Sequence, residues 1–310
     1  MKTIHMDNNL LIAVLMGGPG SERDVSLASG NAVLSALLEQ GLNAVPVDVT
    51  DHSLDLPEGT GLCFNVIHGT FGEDGEMQAM LEEIGVPYTG AGVESSRVAF
   101  DKVASKQVFV ESNVPTPASE IVDCSAGVKL PAMPLPYVIK PPREGSSVGV
   151  HIVHDEAGAM AAMADAARYG DEVLIEQLIV GDELTVGVLD GVALPVVQIA
   201  PRSGFYDMNN KYPWLNDGGG TDYYCPAELD ELTTVRVQEA ALAAHCALGI
   251  EIYSRVDVLL DAEANPYVLE ANTIPGMTAS SLLPKAAKVA GYDFGPLCKK
   301  IAELSLARRR

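Results

Sequence analysis

The stretch "LLIAVLM" (10–16) is apolar at every position, and "GGPGSERDVS" follows it at once. A short unbroken apolar run bounded by glycines predicts a strand buried on both faces, with a helix after it. Ser21 is placed to cap that helix, with Asp24 at the capping-box position. Val25, Ala28, Ala32, Val33, Ala36 and Leu37 then keep helical spacing until Gly41 stops it. "NAVPVDV" and "GLCFNVIHG" read as further strands, and a helix is expected around 76–84. Strands alternating with helices predict an open, largely parallel sheet up to about residue 95.

A helix from about 94 to 112 is expected to end before "VPTP", where Pro115 and Pro117 force a break. Beyond it, "YVIK" reads as a strand and "VGVHIVH" as its return, with a Gly/Ser-rich loop between them. An Ala-rich helix at about 155–168 and the strand "EVLIEQL" complete a small α+β unit. "LTVGVL-DG-VALPVVQI" predicts a hairpin with Asp190-Gly191 as its tight turn. Residues 200–224 show no regular period and carry the only tryptophan. So long a loop in a compact protein marks a lid, a binding loop or disorder, and its aromatics weigh against disorder. A helix at about 228–247, a hairpin and two C-terminal helices finish the chain.

Composition sharpens this outline. At 310 residues the chain holds two or three domains, and an apolar share of 47% without low-complexity tracts indicates a soluble globular protein. A balance of 20 Lys+Arg against 42 Asp+Glu, net −22, argues against nucleic acid as a partner. The five cysteines never form C-x-x-C, so free thiols in a reducing cytosol are expected, with neither zinc nor a disulfide framework. His151 and His154 lack a nearby Cys/Asp partner set and give no metal site. The first apolar run is too short for a signal peptide or a membrane span and follows Asp7. A cytoplasmic protein without a membrane role is expected.

In so acidic a chain each lysine is informative. "GGPGSER" puts Arg23 where a dinucleotide loop wants its last small residue, and Asp48 lies late for a ribose acid, which weighs against a dehydrogenase. "KPPREGSSVGV" (140–150) lacks the G-K-[ST] ending of a P-loop. It reads instead as a hairpin flap whose backbone N–H groups close over phosphates, with lysines arriving from separate elements. Lys140 stands at its root, Lys102 and Lys211 lie elsewhere, and "EQLIVGDE" offers Glu176 and Glu183. Composition alone does not bring these groups together.

"IYSRVDVLL" and "PYVLEAN" flank the connector "DAEAN". If Leu260 opposes Tyr267, Asp257 opposes Glu270, and Arg255, Asp257, Glu270 and Asn272 share one face. Two opposed carboxylates repel unless a cation lies between them. Hard oxygen donors of this kind suit Mg²⁺ completed by phosphate and water. The alternative is a solvated polar face with a structural Arg–Asp pair.

Taken together, "MGGPGSERDVSLASG", "HGTFGEDGEMQAMLEEIGVPYTGAGVESS", "DKVASK", "VIKPPREGSSVGV", "FYDMNNKY", "YYCPA", "RVDVLLD" and "LEANTIPGMTASSLLPKAA" resemble the D-alanine–D-alanine ligases of the ATP-grasp superfamily. The motifs stand in the family's order over nearly the whole chain. The resemblance implies an α/β (α+β) three-domain ATP-grasp fold. Its parts are an N-terminal domain with an open parallel sheet (1–95), a central lid domain (96–182) and a C-terminal catalytic domain (183–310). It implies ATP and Mg²⁺, or Mn²⁺ in its place, with two ions in each active site, D-alanine as substrate, and a homodimer. Carried over by motif, Lys102, Lys140 and Lys211 contact phosphates, and Ser146 and Ser147 belong to the flap. Glu176 and Glu183 take adenine and ribose, with Gln177 and Ile179 beside the base, while Asp257, Glu270 and Asn272 hold the metal. Glu22 takes the ammonium of the first D-alanine with His68 near its carboxylate, and Ser281 and Leu282 bind the second. Arg255 and the Gly276 amide face the reacting carbonyl, and Ser146 bonds Tyr212 to latch the lid.

Departures are confined to a few places: Gln177 replaces a common lysine, "MNN" precedes Lys211, and "PWLNDGGGTD" lengthens the loop. Tyr212 favours D-alanine over D-lactate or D-serine as acceptor. A nucleotide-binding regulatory protein on the same scaffold is the alternative from another class. Lys140, Arg255, Asp257, Glu270 and Asn272 are all intact, which argues against it.

Overall fold

A computed structural model of the chain describes residues 6–145, 147–202 and 220–308. Ser146, Lys211 and Tyr212 therefore lie outside the described residues. The described residues form three sheets. In the first, β1 (Leu11–Gly17) lies between β2 (Ala44–Val49) and β3 (Thr60–Asn65), all parallel. The unbroken apolar run of β1 follows from its being buried on both faces. Ile12, Val14 and Met16 meet Val33 and Leu37 of α1 (Arg23–Glu39), whereas Ala13 and Leu15 meet Phe71, Met77 and Leu81 on the other side. Met77 and Leu81 come from α2 (Glu76–Glu83).

Two expectations for the helices need correction. Glu22, not Ser21, takes the N-cap position of α1, and it makes no side-chain capping bond. The expected single helix at 94–112 is two, α3 (Val93–Phe100) and α4 (Lys102–Glu111). Asp101 between them is extended (φ −84°, ψ 106°), and its Oδ1 accepts from the Val103 and Ala104 amides at 3.0 and 3.2 Å. An aspartate that caps the following turn ends one helix and starts the next. Lys102 consequently opens α4 rather than sitting inside a helix.

The second sheet is antiparallel, in the order β4 (Ser119–Asp123), β7 (Glu172–Gln177), β5 (Tyr137–Lys140), β6 (His151–Val153). Helix α5 (Glu156–Ala166) covers it, Met163 and Ala166 packing on Ile139, Val173 and Ile175. The loop 141–150 is the β5–β6 connection, as a hairpin flap requires, although the return strand is only three residues long.

The third sheet runs β11 (Thr221–Tyr224), β10 (Val197–Pro201), β8 (Gly181–Leu189), β12 (Tyr253–Asp261), β13 (Pro266–Asn272), with β9 (Val192–Ala193) also on β8. Asp190 and Gly191 between β8 and β9 both have positive φ, 54° and 72°, which the tight hairpin turn demands. One face of this sheet, carrying Val256, Val258, Val268 and Ala271, packs on Val237, Ala241 and Ala244 of α6 (Glu231–Ala247) and on Ala99 and Phe109 of α3 and α4. Its other face looks into the cleft. Of the last helices, α7 (Leu282–Val289) packs on β8 and α8 (Phe294–Ala307) returns to α1 and the first sheet, and through Leu283, Leu297 and Ile301 both join the core of Ile12 and Val14. Among the described residues no helix is long and apolar enough to cross a membrane.

The α3–α4 break offers a direct test. Asp101→Ala removes the cap and the Arg143 Nε bond at 2.8 Å. Arg143 is largely exposed, so the cap dominates, and the expected loss is about 1 kcal/mol with a melting point lower by roughly 2–4 °C. Asp101→Asn keeps a capping oxygen and should retain most of the stability in the same thermal melt.

Candidate active site

The β12–β13 hairpin sets the centre of the cleft. Asp257 does oppose Glu270, and Arg255 opposes Asn272, but the register expected at the turn is wrong by one residue. Leu259, not Leu260, pairs with Tyr267, and Val258 pairs with Val268. A bulge between Val258 and Asp257 absorbs Leu269 and restores the pairing at the polar end. Arg255 and Asp257, two apart on one strand, form a fork: Nε to Oδ1 at 2.9 Å and Nη2 to Oδ2 at 2.8 Å. Thr185 Oγ1 donates to Asp257 Oδ1 at 2.6 Å and Asn272 Nδ2 to Oδ2 at 3.2 Å. Glu270 receives Lys102 Nζ at 3.3 Å. The same ammonium donates to the Glu144 carbonyl at 2.7 Å, tying the flap to the hairpin.

Two cavities flank this hairpin. One, of about 550 Å³, lies between the second and third sheets, and Lys140, Ser147, Glu176, Gln177, Ile179, Glu183 and Asp257 line it. Val138 pairs with Glu176 across β5 and β7, so Lys140, two residues on, is Glu176's diagonal neighbour on the same face. The two side chains form an ion pair, and Lys106 Nζ reaches the other Glu176 oxygen at 2.6 Å. Burial pushes the Glu176 carboxyl up, but Lys140 and Lys106 together hold it below the usual range. Lys140 is correspondingly raised: burial opposes its charge, but Glu176 with Glu270 and Glu183 outweighs it.

The other cavity, of about 320 Å³, lies between the first sheet and the loop after β13. Glu22, His68, Arg255, Asn272, Gly276, Ser281 and Leu282 line it. The Glu22 carboxylate lies against two loops: a Cβ added to Gly69 would stand 3.0 Å from its Oε2, and one on Gly145 3.1 Å. His68 is buried, with Nδ1 2.9 Å from the Ile274 carbonyl and Nε2 2.9 Å from Ser29 Oγ. A carbonyl only accepts, so Nδ1 carries the proton and Ser29 donates to Nε2. Ser29 Oγ in turn accepts the Met277 amide at 3.2 Å. Burial keeps His68 below the ordinary imidazole range and therefore neutral. Ser281 N-caps α7, and its Oγ lies 2.8 Å from Thr278 Oγ1.

Every candidate residue among those described thus lines one cavity or the other, and Lys102 and Glu270 line both. Ser146, Lys211 and Tyr212, with the expected latch, fall outside the described residues. Sequence reasoning missed Lys106, Ser29 and Thr185, which act through neighbours, although Ser29 and Lys106 stand inside quoted motifs. It also passed over Glu73, which stands inside a quoted motif. Glu73 accepts the Gly69 amide at 2.8 Å and the Ile274 amide at 3.2 Å.

Comparison with known proteins agrees with this geometry. The family described as D-ala D-ala ligase C-terminus matches residues 108–303, and D-ala D-ala ligase N-terminus matches residues 51–91. A D-alanine–D-alanine ligase of Methylacidiphilum infernorum is 47% identical over 297 residues, covering 96% of each chain. That of Citrifermentans bemidjiense is 46% identical, covering 94% of this chain and 95% of its own. Among solved structures, the D-alanine–D-alanine ligase of Bacillus anthracis complexed with ATP superposes with a TM-score of 0.84 at 32% identity, covering 97% and 98%. The VanG D-Ala:D-Ser ligase of Enterococcus faecalis gives 0.81 at 27%, covering 96% and 99%. A cleft floored by a carboxylate hairpin and walled by a lysine-bearing flap, with relatives matching along nearly its whole length, leaves one assignment: the chain belongs to the D-alanine–D-alanine ligase family.

Proposed function

We propose that this cleft joins two D-alanines at the expense of ATP through a D-alanyl phosphate, supplying D-alanyl-D-alanine for peptidoglycan. The observation that carries the reading is that the two cavities meet: Lys102, Glu144, Gly145 and Glu270 belong to both. An amino acid held in the smaller cavity would have its carboxylate directed toward a nucleotide in the larger. In this reading the domains are 1–95, 96–182 and 183–310, each built around one of the three sheets, in a cytoplasmic homodimer.

Hydroxide is a poor leaving group, so the carboxylate must first be activated. Its oxygen attacks the γ-phosphorus of ATP, the bond to ADP breaks, and an acyl phosphate results. Glu22 takes the ammonium of this first D-alanine. His68, with both nitrogens engaged, keeps the wall beside its carboxylate in place. Lys102, Lys140 and Lys211 neutralise phosphate charge under the flap residues Ser146 and Ser147. Glu183 takes the ribose, and Gln177 and Ile179 flank the adenine. The amine of the second D-alanine, held at Ser281 and Leu282, then attacks the carbonyl. Arg255 and the Gly276 amide stabilise the tetrahedral oxyanion, its collapse expels phosphate, and the amine loses its proton. Acyl phosphates hydrolyse, so a Ser146–Tyr212 latch that closes the flap keeps water out.

Asp257, Glu270 and Asn272 fit a divalent ion. Their oxygens are hard donors, the carboxylates are directly opposed, and each is now held by a cation, Arg255 or Lys102. Among the described residues no third His, Cys, Asp or Glu joins them, so phosphate and water would complete the shell. Mg²⁺ or Mn²⁺ bound there, as two ions, would neutralise charge on the transferred phosphoryl group.

Glu22 must be anionic to take an ammonium, and a second carboxylate beside it would cost heavily. Burial, with the charge of Glu22 next, pushes the Glu73 carboxyl up to about 8, so it stays protonated at neutral pH.

Phosphate release from Mg-ATP, compared for D-alanine, L-alanine, D-lactate and D-serine, tests the activity. D-Alanine should give the highest rate, and no release with any amino acid would refute the reading. Glu270→Gln should lower turnover by about 10²-fold or more even at saturating Mg²⁺, and near-normal activity would remove Glu270 from the site. Glu73 makes a further prediction. With a carboxyl raised from 4.5 to about 8, the folded state holds a proton that the unfolded chain has released across that interval. Its stabilising contribution is therefore full below about 4.5 and is lost as pH rises toward 8. Urea unfolding should show this decline, and Glu73→Gln should flatten it; an unchanged slope would exclude Glu73 as the source.

A further inference from the structure

Lys106 lines neither cavity, yet its ammonium is fully bound. Its side chain is 4% exposed, and Nζ reaches Glu176 Oε1 at 2.6 Å, Thr116 Oγ1 at 2.7 Å and the Pro117 carbonyl at 2.9 Å. Three donors meet three acceptors, so the ammonium has one position. The acceptors are anchored in turn. Thr116 Oγ1 donates to the Val268 carbonyl at 2.8 Å, and the Val268 amide donates to Pro115 at 2.8 Å. Lys106 therefore locates Glu176 with respect to β13 of the third sheet, although Glu176 itself belongs to the second.

What this does for a ligand follows from the chemistry of purines. Adenine presents an amino donor beside the N7 acceptor, whereas a 6-oxo purine presents two acceptors there. Lys140, whose ammonium has a donor to spare beside the phosphate it neutralises, and Glu176, an acceptor, stand on one wall of the larger cavity. Left alone, that pair would satisfy only each other. A second cation on the far oxygen holds the carboxylate back, so that one acceptor and one donor stay turned to the base.

We propose that Lys106 is a positioning residue for nucleotide choice: it holds Glu176 so that Lys140 and Glu176 together select a 6-amino over a 6-oxo purine. The inference rests on reading the larger cavity as the ATP site.

The experiment compares ATP with inosine triphosphate, which differs at the 6-position by carrying oxygen in place of the amino group, in wild type and Lys106→Met at saturating D-alanine. The expected result is a KM for ATP raised about tenfold, with kcat and the KM for D-alanine changed no more than about threefold. The preference for ATP over inosine triphosphate should shrink by a similar factor. A residue that merely supports the fold would lower the melting point and the yield of active enzyme while leaving KM and base preference as they were. That result would overturn the proposal. Should Lys106→Met fail to fold, Thr116→Val removes one acceptor of Nζ and keeps the charge. It should raise the KM for ATP about threefold with the same loss of preference, and unchanged values there overturn the proposal equally. Glu176→Gln separates the two levels of the argument. If it leaves base preference intact while D-alanine is still ligated, the adenine assignment fails, and the role of Lys106 with it. A wild-type enzyme that ligates no D-alanine would refute the activity itself.

Discussion

Asp257 and Glu270 stand opposite each other on adjacent strands, and two carboxylates so placed repel unless cations are brought to them. Much of the cleft can be traced to that requirement. Arg255 answers it from two residues away on the same strand, where alternation places both side chains on one face. Lys102 answers it from another element, and it reaches Glu270 because Asp101 breaks the helix and starts α4 at that point. The Lys102 ammonium also holds the Glu144 carbonyl, so the flap inherits its position from the same charge. In a chain with 20 basic against 42 acidic residues, four of the basic ones among the described residues, Lys102, Lys140, Arg255 and Lys285, line this cleft, and Lys106 stands behind it on Glu176. Breaking a buried pair by removing one partner costs about 3–5 kcal/mol. Glu176, 2% exposed between two ammonium groups, comes nearest that limit, while Glu270, with 30% of its side chain accessible, lies well below it.

The smaller cavity depends on neutral contacts instead. His68 and Glu73 both reach the loop after β13, two hundred residues away in sequence, and both close on backbone groups of Ile274. Neither has to be charged for this, and burial disfavours charge on each. The consequence is electrostatic economy around Glu22, whose carboxylate would otherwise share the pocket with a second anion. The core reinforces the same closure, because α7 packs on β8 of its own sheet while α8 packs on α1, and one apolar cluster joins both helices to Ile12 and Val14 of β1. The substrate wall is thus assembled from both ends of the chain.

Legibility in the sequence followed locality. β1, the Asp190-Gly191 turn and the flap hairpin could be read because apolar runs, paired positive φ angles and Gly/Ser content are local properties. The helix break at Asp101 could not, since its apolar spacing runs on undisturbed and only the side chain's choice of capping bonds reveals it. Glu22 could be picked out only by motif, as its cap position is decided by where the glycine-rich turn ends. Lys106 closes the quoted motif "DKVASK", but that motif assigned it no role. Its meaning is convergence with Thr116, Pro117 and Glu176, and nothing in spacing along the chain reports it.

The hairpin shows how a correct result can rest on a wrong register. With Leu259 opposite Tyr267 and Val258 opposite Val268, a regular ladder would set Asp257 against Leu269. Glu270 would then oppose Val256, whose side chain lies in the apolar core under α6. A one-residue slip moves every side chain to the other face of a sheet, so the regular ladder would bury Glu270 among alanines and valines and turn Ala271 into the cleft. The bulge at Leu269 reverses this. It leaves Val268 and Ala271, three apart, both in the core, and puts Glu270 and Asn272 on the side of Arg255 and Asp257. That odd spacing of core residues was visible in "PYVLEAN" all along. A strict two-residue alternation could not interpret it, whereas one inserted residue accounts for both the apolar positions and the polar ones.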